Sequence, residues 1–286
     1  GGSDAWIVHS NRNGGLISER FYGGSGDDGL NAIVENTEGN LAAIGYKSLE
    51  DGSKDILLLE MDQIGEMINE FTFGGNDLEY GVDLISRAIG GYVLLGETKS
   101  YGAGEVDVWL MQLDSNGEID WQTTIAGTFS SDYARKILFD QGGGGYFILM
   151  KEGGNSPSPV CIVKVDLNGN ELWRYNYGYT SSDDAVDMVQ SIESSNYLMV
   201  FGTTYKNDNG DLWFFKVDVT TGEIDTNTEN IFIDGTMDDQ GYSIDIVIED
   251  GGYILVGESS SYGSGGKDIV VIKTDPYGNT VGYDSE

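Results

Sequence analysis

Five acidic residues recur three to five positions after a glycine: Asp28 (with Asp27 beside it), Glu79, Asp132, Asp183 and Asp239. Carboxylates repeated in this way can converge as a ring of oxygen ligands, and oxygen donors suit a hard cation such as Ca²⁺. The competing reading is that each carboxylate bonds backbone N–H groups of its own turn. Electrostatics separates the two. Two carboxylates about 6 Å apart at an effective dielectric of about 20 repel by roughly 3 kcal/mol. Converging acids demand a cation or raised pKa values, whereas acids turned into their own loops demand neither. A second set is aromatic. Tyr101, Tyr205 and Tyr262 lie in loops rich in Gly, Ser and Asp, where a ring can stack on a sugar or a partner.

Other chemistry is thinly represented. His9 is the only histidine, which removes a Ser-His-Asp triad and multi-histidine metal centres. Cys161 is the only cysteine, so no intramolecular disulfide forms; within VCIVKV it reads as a small packed apolar residue. Gly24-Ser-Gly26-Asp-Asp-Gly29 spells a dinucleotide fingerprint, but a strand follows instead of a helix, so no helix N-terminus awaits a pyrophosphate. The Asp114-Ser-Asn-Gly117 and Asp166-Leu-Asn-Gly169 segments lack the spacing of an EF-hand and read as hairpin turns. Paired carboxylates remain available for acid/base work among 48 acidic residues, with no pair singled out.

The elements that position these residues are repeats. An Asp opens an apolar run at Asp4, Asp55, Asp107, Asp211 and Asp268, and Pro159 takes its place once, giving a period of about 52 residues. Each full unit reads as four strands, here a to d. Strands b (YVLLG from Tyr92, YLMVFG from Tyr197) and c (VWLMQLD, LWFFKVD) are apolar almost throughout, as strands buried on both faces are. Strand d alternates with period two, as in EIDWQTTI from Glu118. Trp6, Trp109 and Trp213 recur in strand c, and Trp121 and Trp173 in strand d, a regularity that argues for packing between sheets. Four-stranded units at this period, packed face to face, make a β-propeller.

The expected fold is therefore all-β: a β-propeller of four-stranded antiparallel blades, six with the first incomplete, or alternatively five. It forms a single domain over 1–286, with units at 1–23 (a half blade), 24–74, 75–126, 127–178, 179–235 and 236–286. On the six-blade account, the first two strands lie upstream of Gly1.

Composition narrows the partners. The 286 residues carry a formal charge of −33, which argues against nucleic acid and against an anionic membrane surface. No run approaches the roughly 18 apolar residues of a membrane span. Forty-three Gly against three Pro suits a chain full of tight turns.

The stretch Gly90 to Gly127, GGYVLLGETKSYGAGEVDVWLMQLDSNGEIDWQTTIAG, with its relatives along the chain, resembles the secreted or cell-surface β-propeller repeats of archaea and bacteria. That resemblance implies an extracellular propeller that is not an enzyme. It would act as a structural or protein-interaction scaffold in a surface assembly, with other surface proteins or glycans as partners. A Ca²⁺-assisted carbohydrate-binding module is the alternative, and a carboxylate-dependent glycoside-cleaving enzyme the third reading. Exposed strand edges of an incomplete blade would permit self-assembly.

Overall fold

The computed structural model describes residues 2–125, 131–154, 156–157, 159–192, 194–225 and 230–280. Gly127, part of the loop after Lys151 and the strand d expected beyond Thr280 lie outside them. The chain divides into two compact units, Gly1–Ile137 and Leu138–Glu286.

The first unit begins with a two-stranded sheet, β1 (Ala5–Ser10) and β2 (Leu16–Tyr22). Two four-stranded sheets follow, each in sequential order. One holds β3 (Gly29–Glu35), β4 (Leu41–Ser48), β5 (Lys54–Met61) and β6 (Met67–Phe73). The next holds β7 (Glu79–Ser86), β8 (Tyr92–Thr98), β9 (Asp107–Leu113) and β10 (Ile119–Ile125). β11 (Asp132–Phe139) carries the chain into the second unit and heads a sheet with β12 (Tyr146–Glu152), β13 (Val160–Val165) and β14 (Glu171–Tyr177). After it come β15 (Asp184–Gln190), β16 (Tyr197–Thr204), β17 (Asp211–Asp218) and β18 (Asn230–Ile233) in a fourth four-stranded sheet. The last sheet is three-stranded: β19 (Asp239–Ile246), β20 (Tyr253–Ser259) and β21 (Asp268–Lys273). Every strand pairing with a described register is antiparallel, for example Val93↔Gln112 and Gly96↔Trp109 between β8 and β9. No helix forms among the described residues.

Strands a to d of the sequence pattern are the four strands of each full sheet. Their hairpins turn as expected. Asp114 Oδ1 accepts the N–H groups of Asn116 (2.8 Å) and Glu118 (2.9 Å), while Gly117 takes φ +79°, a conformation that a side chain would strain.

The core lies between sheets. All seven residues of β9 are buried. Ile56 and Leu58 of one sheet pack on Trp109 and Met111 of the next. In the second unit, Val160 and Ile162 pack on Trp213 and Phe215, and Leu212 and Phe214 on Leu255. The joint between the first two sheets follows the same rule, with Ile7 against Leu57 and Leu59. At each of these joints one face of a strand c meets the opposite face of the strand c that follows. Each such aliphatic or aromatic side chain is worth about 1.5–3 kcal/mol once buried.

Trp109 and Trp213 fill these joints as the repeat spacing predicts. Trp173 sits at the margin of one, donating its indole N–H to Val219 O at 3.2 Å. Trp6 corrects the expectation: it stands on the uncovered face of the first sheet and is mostly exposed. Cys161 is fully buried, and that burial pushes its thiol pKa far up, so the thiol stays protonated.

Candidate functional site

The five recurrent carboxylates all stand at the start of a strand a or just before it, and all are buried. Glu79 shows what they do. Its Oε2 accepts the N–H of Gly75 at 2.9 Å. Its Oε1 accepts Thr98 Oγ1 at 2.9 Å and the N–H of Ser100 at 3.1 Å. One side chain therefore ties the loop before strand a to the loop after strand b. Asp28 repeats the device with the N–H groups of Gly24 (2.5 Å) and Ser48 (2.8 Å). Asp183 does so with Tyr179 N (2.5 Å), Thr180 N (3.1 Å) and Tyr205 N (2.7 Å). Asp239 holds the N–H groups of Ser260 (3.0 Å) and Ser261 (3.2 Å). Asp132 is buried as well, with its own N–H on Val106 O at 2.8 Å. Backbone donors buried in a loop must be satisfied, and a carboxylate accepts several at once. Among the described residues, no group of three or more His, Cys, Asp or Glu side chains is placed to hold a metal ion.

Three of these acids have a close carboxylate companion, the Asp that opens strand c of the preceding sheet: Asp4 beside Asp28, Asp55 beside Glu79 and Asp211 beside Asp239. A Cβ placed on Gly74 would lie 1.9 Å from Asp55 Oδ1 and 2.9 Å from Glu79 Oε2. At Gly23 the corresponding distances are 2.2 Å to Asp4 Oδ1 and 2.9 Å to Asp28 Oδ2. The glycine is required there because two carboxylates crowd it. Burial, and then the charge of Glu79, raises the pKa of Asp55. Burial, followed by Asp234 and Asp239, does the same to Asp211. Asp211 Oδ2 and Asp239 Oδ2 are both buried without a hydrogen-bond partner. In the third unit Pro159 takes the place of the Asp and packs beside Gly178, leaving Asp183 the only acid of that pair. Sequence spacing marked the strand-c aspartates as landmarks and missed their pairing, because the partner belongs to the next sheet.

A second carboxylate device lies on the inner strands. Strand a carries a bulge, at Gly81/Asp83 in β7 and at Gly241/Ser243 in β19. N–H groups on either side of such a bulge lose ladder partners. Asp83 Oδ2 accepts Ile137 N at 3.1 Å, and Glu97 Oε1 accepts Ala134 N at 3.0 Å. In the second unit Asp187 Oδ2 accepts Ile244 N at 3.1 Å, and Thr203 Oγ1 accepts Gly241 N at 3.1 Å. Asp83 also faces Lys136 Nζ at 3.5 Å. Burial raises the pKa of Asp83 despite that lysine, and it raises Glu97 likewise. These two acids escaped the sequence reading. Their only signal was a charged residue in an otherwise apolar strand.

The tyrosines divide. Tyr101 is exposed; its hydroxyl donates to Gly74 O at 3.0 Å and its ring lies 5.0 Å from Trp109. It borders a groove of about 530 Å³ lined also by Asn76, Asp77, Lys99 and Ser100. Tyr262 repeats the hydroxyl contact, with Val270 in place of the tryptophan. Its hydroxyl points to Asp234 O at 3.5 Å, and Ser261 Oγ donates to Met237 O at 3.0 Å. Tyr205 differs: it is half-buried, its N–H is held by Asp183, and the neighbouring Lys206 lies over Tyr179 instead, 3.9 Å from the ring centroid.

No protein-family model and no curated protein matches the chain. Solved structures do. A puromycin hydrolase superposes with a TM-score of 0.51 at 12% identity, covering 90% of this chain and 39% of its own. A eukaryotic initiation factor gives 0.47 at 11%, covering 96% and 58%. The catalytic domain of a Coprinopsis cinerea GH62 alpha-L-arabinofuranosidase gives 0.42 at 8%, covering 95% and 96%, too loose a likeness to argue from. The chain thus spans 58% of the initiation factor's length and 39% of the hydrolase's. Together with the sheets above, the likeness bears out the β-propeller fold. It also corrects the expectation that the protein is not an enzyme. The same fold is found in hydrolases, so absence of catalysis does not follow from the architecture.

Proposed function

We propose that this is a secreted or cell-surface β-propeller that recognises carbohydrate through its loops, at the groove beside Tyr101. The observation that carries the reading is the setting of that ring. It is exposed on one side, backed by Trp109, and pinned at its hydroxyl by Gly74 O. A rigid aromatic face beside amide, carboxylate, ammonium and hydroxyl groups matches a sugar, which offers an apolar C–H face and a rim of hydroxyls. The resemblance of the repeat to surface propellers supports the extracellular setting.

The test is a glycan array followed by calorimetry on any ligand found. Tyr101→Ala should weaken binding about tenfold, roughly 1.4 kcal/mol, with Tyr101→Phe close to the parent. An array on which the parent binds no glycan ends the reading. Assaying the bound glycans for newly formed reducing ends then decides whether recognition is accompanied by cleavage.

A further inference from the structure

We infer that the joint between the last two sheets binds a divalent cation, with Asp211 Oδ2 and Asp239 Oδ2 as its carboxylate ligands. Both residues are fully buried, and both of these oxygens lack a hydrogen-bond partner. The other oxygen of each is in use. Asp211 Oδ1 accepts Gly235 N at 3.3 Å, and Asp239 Oδ1 accepts the N–H groups of Ser260 and Ser261. Gly235 also brings the second acid close: a Cβ on it would lie 3.1 Å from Asp239 Oδ2. An ionised oxygen sealed from water with nothing donating to it is costly, and a second one beside it raises that cost. Among the described residues, no other pair of this series leaves a bare buried oxygen on both acids.

A neighbouring joint in the same unit serves as a control. Pro159 stands there in place of the strand-c Asp, so Asp183 lacks that companion. Both of its oxygens are satisfied. Oδ1 accepts Thr180 Oγ1 at 2.9 Å, Thr204 Oγ1 at 3.2 Å and Tyr205 N at 2.7 Å, and Oδ2 accepts Tyr179 N at 2.5 Å and Thr180 N at 3.1 Å. Asp239 holds the same place in the fold, and with a second acid opposite it one oxygen goes without a donor. Charge points the same way. Asp234 stands five residues before Asp239, where Gly74 stands before Glu79, and it adds an exposed carboxylate at the rim. Burial, then the charges of Asp234 and Asp239, push the pKa of Asp211 up. Oxygen donors select a hard cation, and one divalent ion neutralises two carboxylates. Ca²⁺ suits a sealed joint better than Mg²⁺, which gives up its water reluctantly. The carbohydrate reading concerns a groove in the other unit, so the two stand or fall separately.

The experiment is calorimetric titration of the chelator-treated full chain with CaCl₂ at neutral pH, with melting temperatures in EDTA, in Ca²⁺ and in NaCl of matched ionic strength. The parent should bind Ca²⁺ and melt about 5 °C higher at a hundredfold excess over the Kd. Asp211→Asn should melt at or above the parent in EDTA, bind Ca²⁺ at least tenfold more weakly and lose most of the rise. Asp239→Asn, which keeps an oxygen for Ser260 and Ser261, should lose the rise as well. Asp250→Asn, which breaks an exposed ion pair with Lys273, should bind Ca²⁺ as the parent does. A parent that shows neither heat nor a shift with Ca²⁺ overturns the inference. So does a rise that NaCl reproduces, or one that both Asp211→Asn and Asp239→Asn retain.

Discussion

Trp6 and Trp213 occupy the same place in two strands of like pattern, DAWIV and DLWFF, yet one is open to solvent and the other is sealed. Their strands share the apolar composition of strands buried on both faces. What differs is the neighbour: Trp213 has Val160 and Ile162 against it, while Trp6 has only Phe21 of its own sheet. Burial in this fold is therefore a property of the joint between sheets, and the strand merely qualifies for it.

The largest expected effect tests that contrast directly. Trp213→Ala should cost about 3–5 kcal/mol in urea unfolding, as removal of a buried aromatic does, whereas Trp6→Ala in the dilute monomer should stay within about 0.5 kcal/mol. Equal losses would break the comparison.

The loop carboxylates give the next contrast. Glu79→Ala strands three donors, at Gly75, Thr98 and Ser100, and should cost about 3 kcal/mol. Asp114→Ala, in an exposed hairpin turn, removes bonds that water replaces and should cost no more than about 1 kcal/mol. Denaturation curves of the two variants side by side check the ranking.

The smallest effect concerns pH. The folded-state pKa of Asp211 is raised, so the folded protein binds that proton more tightly than the unfolded chain. Stability from this group falls as pH rises above the ordinary carboxylate value of about 4 and stays lower from there to neutrality. Asp211→Asn should therefore gain stability at pH 7 and none in acid. Asp250, lowered by its bond to Lys273, has the opposite sign: its contribution is present at neutral pH and disappears as pH falls. Asp250→Asn should accordingly lose at pH 7 and match the parent in acid. Melting temperatures across that range would sharpen the comparison, and a gain from Asp250→Asn would undo it.

The fold was legible because period-two strands, fully apolar strands b and c, and Asp-x-Asn-Gly turns are local signals, each forced by backbone geometry. The recurrence of Trp109 and Trp213 likewise marked the joints. The site was less legible. Glu79 and its relatives were visible as a series, but side-chain direction is not written in spacing, and the bonds of Asp28, Glu79, Asp183 and Asp239 to the loops beside them were seen only in the structure. Asp83 and Glu97 answer N–H groups of Ile137 and Ala134 on another strand, which the sequence of their own strands does not display. Tyr205 stands three residues after the strand-b glycine Gly202, where Asp183 holds its N–H and it is half-buried, whereas Tyr101 stands five after Gly96.

The bulge clasps carry a consequence for how the molecule comes apart. Where Asp187 and Thr203 close the free amides of β19, that inner strand is latched by side chains that belong to the sheet before it. Peeling away the earlier sheet would bare the amides of the later one. Proteolysis or a pulling force should therefore find no weak seam at a latched joint, and the sheets on either side of it should be lost together.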